Sequence, residues 1–222
     1  MLWRITSLAA LCWILLANVF PRRTQGAPGF ESWKAQLQVT ELGYGETTER
    51  SVETGQPYTH ASAGVTTYVY NLYQNERNVV RRELVRMSRN PVAETGRELR
   101  LLDYRAHYVV DIDESAKRAL RRPMANLGTA TPIEGRRILG YHCIGLQYQW
   151  IEGDRTRHVE TDWKASGTSF QEPLLSIEYA IDSNNSLLYL ELRAVRRLEP
   201  SGSLDPALFE APPGFEVVTL DH

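Results

Sequence analysis

Two neighbouring segments, 143–163 and 175–194, alternate apolar and polar residues, and this limits the chain's fold more than any other feature. With Gly153-Asp154 as a two-residue turn, glycine supplying the positive φ, Ile144 faces Trp163 and Leu146 faces Thr161. Tyr148 then faces Val159 and Trp150 faces Arg157, while Gln147 meets Glu160 and Gln149 meets His158 on the other side. One face is apolar and the other polar, an agreement that a one-residue slip would destroy. A second turn at Asn184-Asn185 gives the pairs Ile181/Leu188, Tyr179/Leu190, Ile177/Leu192 and Leu175/Ala194. Its polar side pairs Ser176 with Arg193 and sets Glu178 against Glu191, a like-charge pair that is unfavourable unless Arg193 is close enough to share it.

The rest of the chain reads in the same way. Residues 27–64 are polar and punctuated by Gly and Pro, with one strand predicted at Gln36–Leu42. Val65–Gln74 is β-branched and aromatic, with Tyr68, Tyr70 and Leu72 on one face. Val79–Ser88 suits either a short amphipathic helix or an edge strand, and the strand is favoured because another strand precedes it. Glu98–Asp103 and His107–Asp113 predict a hairpin turning near Tyr104–Ala106, and Ala116–Arg122 predicts one or two helical turns. Residues 123–137 read as a loop. Asp205 and Pro206 suit the cap and first position of a helical turn over Leu204–Phe209, before a last strand at Phe215–Thr219. The sum is a mainly β chain, β with minor α: a single curved antiparallel sheet or half-open barrel of about nine or ten strands.

Residues 5–20 carry no charge and are bracketed by Arg4 and by Arg22-Arg23. Sixteen residues is short for a membrane span, which needs about 20, and the run fits the apolar part of an export signal. Residues 1–26 are therefore expected to be a signal peptide cleaved after Thr24-Gln25-Gly26 or, uncleaved, an N-terminal anchor touching the membrane through residues 5–20. An irregular segment, 27–64, and an antiparallel β domain, 65–222, would follow. Removing 1–26 takes away three arginines and no acid, leaving 22 basic against 27 acidic groups. That mild acidity argues against nucleic acid, which needs a positive footprint. Beyond the signal only Cys143 remains, so no intrachain disulfide can staple the domain.

No catalytic motif stands out. There is no GxSxG elbow, and His60, His107, His142, His158 and His222 lack metal-ligand spacing. Cys143 reads as inert packing, and Asp111 and Asp113 as a solvated strand end. No cofactor is implied. What remains is an aromatic and aliphatic stripe expected to point inward: Tyr68, Tyr70, Ile144, Leu146, Tyr148, Trp150, Trp163, Tyr179 and Leu190. It is either ordinary core or the lining of an apolar cavity.

Three blocks carry a resemblance: LLDYRAHYVVDID; Glu134–Cys143 followed by Asp162-Trp163; and Arg197–Pro200 followed by Asp205–Phe209 and Pro212–Phe215. Together they resemble exported bacterial envelope proteins of the acidobacterial type, of unknown function, over roughly residues 65–217. More loosely, the strand layout is similar to the lipoprotein-carrier (LolA-like) fold, a curved sheet wrapped over short helices. The resemblance implies a cell-envelope protein that holds or senses a lipid or acyl group. With the apolar stripe, the expectation is a periplasmic or secreted, non-enzymatic protein holding a lipid or other apolar ligand in its concave face, or alternatively a sensor module that binds an envelope protein partner; a secreted hydrolase is the weakest reading.

Overall fold

A computed structural model describes residues 32–50, 57–89, 98–125, 127–153 and 155–220, with only the backbone for 44–50, 57–63 and 89. The expected signal or anchor, residues 1–26, lies outside the described residues. Among the described residues twelve strands form one open, curved sheet. They are β1 (Ser32–Arg50), β2 (Pro57–Gln74), β3 (Val79–Arg89), β4 (Leu99–Asp103), β5 (Tyr108–Asp113), β6 (Arg118–Pro123), β7 (Thr131–Ile138), β8 (Tyr141–Ile151), β9 (Arg157–Ala165), β10 (Leu175–Ile181), β11 (Leu187–Ser201) and β12 (Glu216–Thr219). Across the sheet the order is β12-β6-β5-β4-β3-β2-β1-β11-β10-β9-β8-β7, so β11 returns to pair with β1 in the middle. Every pairing is antiparallel except β12 on β6.

Several expectations hold and several change. Val79–Ser88 is strand, and the 104–107 turn joins β4 to β5. Pro206–Phe209 forms a 3-10 turn capped by Asp205, whose carboxylate accepts the Ala207 N–H at 3.0 Å. The segment expected to be mostly irregular, 27–64, instead holds β1 and the start of β2. Ala116–Arg122, expected to be helical, is largely β6, and the loop expected over 123–137 contains most of β7. Neither segment has an apolar stripe long enough to commit it locally, so pairing with β5 and with β8 decides.

Directly opposed residues share a face, so the pairings sort the side chains into two faces. The front face carries Trp33, Ala35, Leu37 and Val39 of β1 beside Gln74, Leu72, Tyr70 and Tyr68 of β2. Leu37, Leu72 and Val80 are 2% exposed or less, and burying each contributes roughly 1.5–3 kcal/mol. The connection between β9 and β10 folds over this part of the front face. Trp33 Nε1 donates to Ser169 Oγ (2.9 Å), Gln74 Nε2 donates to the Ser169 carbonyl (2.7 Å), and Gln74 Oε1 accepts the Gln171 N–H (2.9 Å). Phe170 meets Trp33 edge-on at 6.2 Å. Glu172 accepts two hydrogen bonds from Arg82 Nη2, at 3.0 and 3.1 Å, and both side chains are largely buried. This pinned loop covers the front of the sheet, where the resemblance led us to expect short helices.

Candidate functional site

The hairpin of β8 and β9 differs from its predicted register, and the difference relocates the candidate residues. Gly145, not Ile144, faces Trp163, and Leu146 faces Asp162, Tyr148 faces Glu160 and Trp150 faces His158. The cause is the turn. Glu152 and Thr156 close it (N–H to carbonyl, 2.9 Å), the Arg155 N–H returns to the Glu152 carbonyl (2.9 Å), and Arg155 takes φ 69°. Three residues therefore lie between the closing pair instead of two, and one extra residue exchanges the faces of the whole strand. The observed register also accommodates Trp163. A Cβ on Gly145 would lie 2.6 Å from Ile133 Cγ1 and 2.7 Å from the Glu134 carbonyl oxygen. Its absence lets β7 close over the indole, whose Nε1 donates to that carbonyl at 3.2 Å while the Arg136 guanidinium sits 3.9 Å above the ring.

The β10–β11 hairpin has the same kind of turn, closed from Asp182 to Ser186 with Asn185 at φ 61°. Here a bulge absorbs the extra residue. Ile181 pairs with Leu187 instead of Leu188, and beyond the bulge the predicted pairs hold: Tyr179/Leu190, Ile177/Leu192 and Leu175/Ala194.

As a result the nine candidate residues do not form one lining. Tyr68, Tyr70, Ile144, Leu146, Tyr148 and Trp150 lie on the front face, and Trp163, Tyr179 and Leu190 lie on the back. Tyr70 is buried and stacks on Tyr68 at 6.2 Å, its hydroxyl donating to Glu98 at 3.2 Å; burial pushes its phenol pKa up. Tyr148, Trp150, Tyr68 and Leu146 are half-buried or better. Trp150 stacks on His158 at 4.9 Å, and Ile144 is 53% exposed. On the back face Trp163 is buried, and Tyr179 and Leu190 are half-buried. A cleft of about 180 Å³ opens elsewhere, between Lys34, Gln36, Asn71, Tyr73, Arg197 and Glu199, and none of the nine lines it.

What the register assembles on the front face is a row of acids. Tyr148 is followed across the strands by Glu160, Glu178, Glu191 and Glu41. The next row toward the core runs Leu146, Asp162, Ser176, Arg193, Val39 and Tyr68. Arg193 holds the acids together. Its Nη2 donates to Glu160 at 2.6 Å and to Glu178 at 3.1 Å, and its Nε lies 2.6 Å from Glu191 in ion-pair contact, off the N–H direction. The expected sharing of the Glu178/Glu191 pair is therefore present. Negative charge is still in excess, with five carboxylates facing the Arg193 guanidinium, Lys164, whose Nζ is 3.9 Å from Asp162, and the His158 imidazole, whose Nδ1 is 4.0 Å from Glu178. Burial pushes up the carboxyl pKa values of Glu160, Glu191 and Asp162, that of Asp162 to about 6. Glu191 also hydrogen-bonds Glu41, a contact between two acids that favours a retained proton.

The other polar candidates resolve simply. Cys143 is 5% exposed and burial raises its thiol pKa to about 11, an inert packing residue. Asp111 is held by Arg100 and Arg122 at 2.5 and 2.9 Å, and Asp113 caps the 114–117 turn. Among the described residues no three of His, Cys, Asp and Glu are arranged to hold a metal ion.

No protein-family model matches the chain, and no curated protein matches it. Solved structures do. An uncharacterized conserved protein from Thermus thermophilus is 11% identical over 85% of this chain and 90% of its own, with a TM-score of 0.45. The MucA/MucB complex of Pseudomonas aeruginosa contains a chain 12% identical over 85% of this chain, which spans 58% of that one, with a TM-score of 0.36. A putative outer membrane lipoprotein-sorting protein domain from Vibrio parahaemolyticus is 8% identical over 82% of this chain and 90% of its own, at 0.21. At these values each is a likeness in the run of the strands, and none bears on what the chain binds.

Proposed function

We propose that this is an exported, non-catalytic binding protein of the cell envelope that holds a ligand with an apolar body, of the lipid or acyl kind, against the front face of its sheet. One observation carries the reading. The front face carries half-buried Leu146, Tyr148 and Trp150 side by side on β8, outside the buried core cluster, so an apolar body has a surface to lie on that the core does not consume. The uncharged run at 5–20 supports export.

Titration of the mature protein with octanol, followed by tryptophan emission, tests the proposal. Saturable quenching that disappears in Trp150→Phe is expected, because Trp150 borders this surface. Emission that never saturates, in a protein whose native mass is unchanged by any alkyl ligand, would refute it.

A further inference from the structure

The acids on the front face exceed what the fold needs for its own pairing, and one of them has an oxygen with no donor. Asp162 is 4% exposed; the Ser176 hydroxyl bonds its side chain, yet its Oδ1 has no hydrogen-bond partner, so one buried acceptor of the carboxylate is left unsatisfied. Such a group costs the fold free energy, and a bound donor would remove that cost. Around it the same face presents Glu160 and, farther out, Glu178 and Glu191, whose side chains keep 18% and 16% of their exposure. Solvent therefore reaches the outer acids while the orphan oxygen lies behind them. Arg193 is already engaged by three glutamates, and Lys164 stands 3.9 Å from the other Asp162 oxygen. The acids are spread across strands about 4.8 Å apart, and among the described residues they do not converge as metal ligands. This spacing suits a nitrogen cation with several N–H donors better than a bare ion. Half-buried Tyr148 and Leu146, opposite Glu160 and Asp162, offer aromatic and aliphatic contact beside the charge.

We infer that the front face of β8–β11 recognises a primary ammonium group on an apolar-bodied small molecule, with Asp162 Oδ1 accepting from the ammonium and Glu160 and Glu178 supplying the remaining charge. This deepens the function proposed above and rests on it, since it adds the charge of the head group to the apolar body. The head enters past Glu178, and the tail lies over Leu146, Tyr148 and Trp150 of the neighbouring β8.

The experiment compares octylammonium, octanol and octanoate on the mature protein near pH 7.5 by calorimetry, in the wild type, Asp162→Asn and Glu178→Gln. Octylammonium is expected to bind about tenfold or more tighter than octanol, as a charge-assisted contact in a partly desolvated site should. Octanoate is expected to bind most weakly. In Asp162→Asn the ammonium preference should fall by about tenfold while octanol binding persists, which shows that the face is intact. In Glu178→Gln it should fall by a smaller factor. Equal binding of all three ligands overturns the ammonium assignment and leaves the apolar-ligand reading standing, whereas no binding by any of them overturns both. An ammonium preference unchanged in Asp162→Asn overturns the role given to Asp162. Tight binding of a lysine-rich peptide in the absence of any alkylammonium affinity overturns the small-molecule assignment in favour of a protein segment.

Discussion

Arg193→Ala removes the cation that holds the front-face acids together. The side chain is 20% exposed and contacts Glu160, Glu178 and Glu191, which are 6%, 18% and 16% exposed. Breaking one partner of such a buried network costs about 3–5 kcal/mol, because the remaining charges lose their compensation. We expect a loss at the lower end, about 3 kcal/mol near pH 7.5, since water reaches the outer two acids. For a domain of this size that lowers Tm by roughly 6–12 °C. The loss must depend on pH. Burial already raises the folded-state pKa values of Glu160 and Glu191, so each contributes stability that is full below the ordinary carboxylate range and is lost as pH rises through its folded value. Without Arg193 those values rise further, and the variant should lose stability with pH more steeply than the wild type. Urea unfolding followed by tryptophan emission at pH 5 and pH 7.5 measures both quantities. A cost below about 1 kcal/mol, as for an exposed ion pair, or an equal cost at the two pH values, would refute the reasoning.

Three other substitutions or reagents probe neighbouring parts of the structure. Glu172→Ala leaves the buried Arg82 guanidinium without its carboxylate and should cost about 3 kcal/mol by chemical denaturation, with faster proteolysis in the 166–174 loop. Gly145→Ala places a Cβ 2.6 Å from Ile133 and should cost about 1–3 kcal/mol and shift tryptophan emission to the red as β7 lifts from Trp163; an unchanged spectrum and stability would contradict the observed register. Cys143, buried and with its thiol pKa raised to about 11, should resist iodoacetamide at pH 8 until the protein is unfolded, as read by mass.

Local chemistry made much of this architecture legible in the sequence. Asp205-Pro206 announced a capped turn, and the alternation from Val65 through Gln74 placed Tyr68, Tyr70 and Leu72 together, as they are. The β8–β9 register was not legible. Val159 to Trp163 is buried on both faces, Glu160 and Asp162 included, so the polarity of β9 does not mark a solvent face and alternation cannot choose the register. The deciding residues were Arg155, in a left-handed conformation that only the closed turn reveals, and Gly145, whose missing Cβ admits β7. Glycine inside a strand is a sign of close backbone approach and could have signalled the correct pairing. The acidic row was half visible, because Glu178 opposite Glu191 already required Arg193. Glu160 and Glu41 joined it only once β9 and β1 took their places on either side.

The front face is held to keep a desolvated carboxylate in reserve for a cationic group, and carboxyl-carbon NMR of Asp162 tests this most directly. A titration midpoint of about 6 is predicted in the free protein, moving down when octylammonium saturates the site. A midpoint at the ordinary aspartate value of about 3.9, unmoved by the amine, would contradict it.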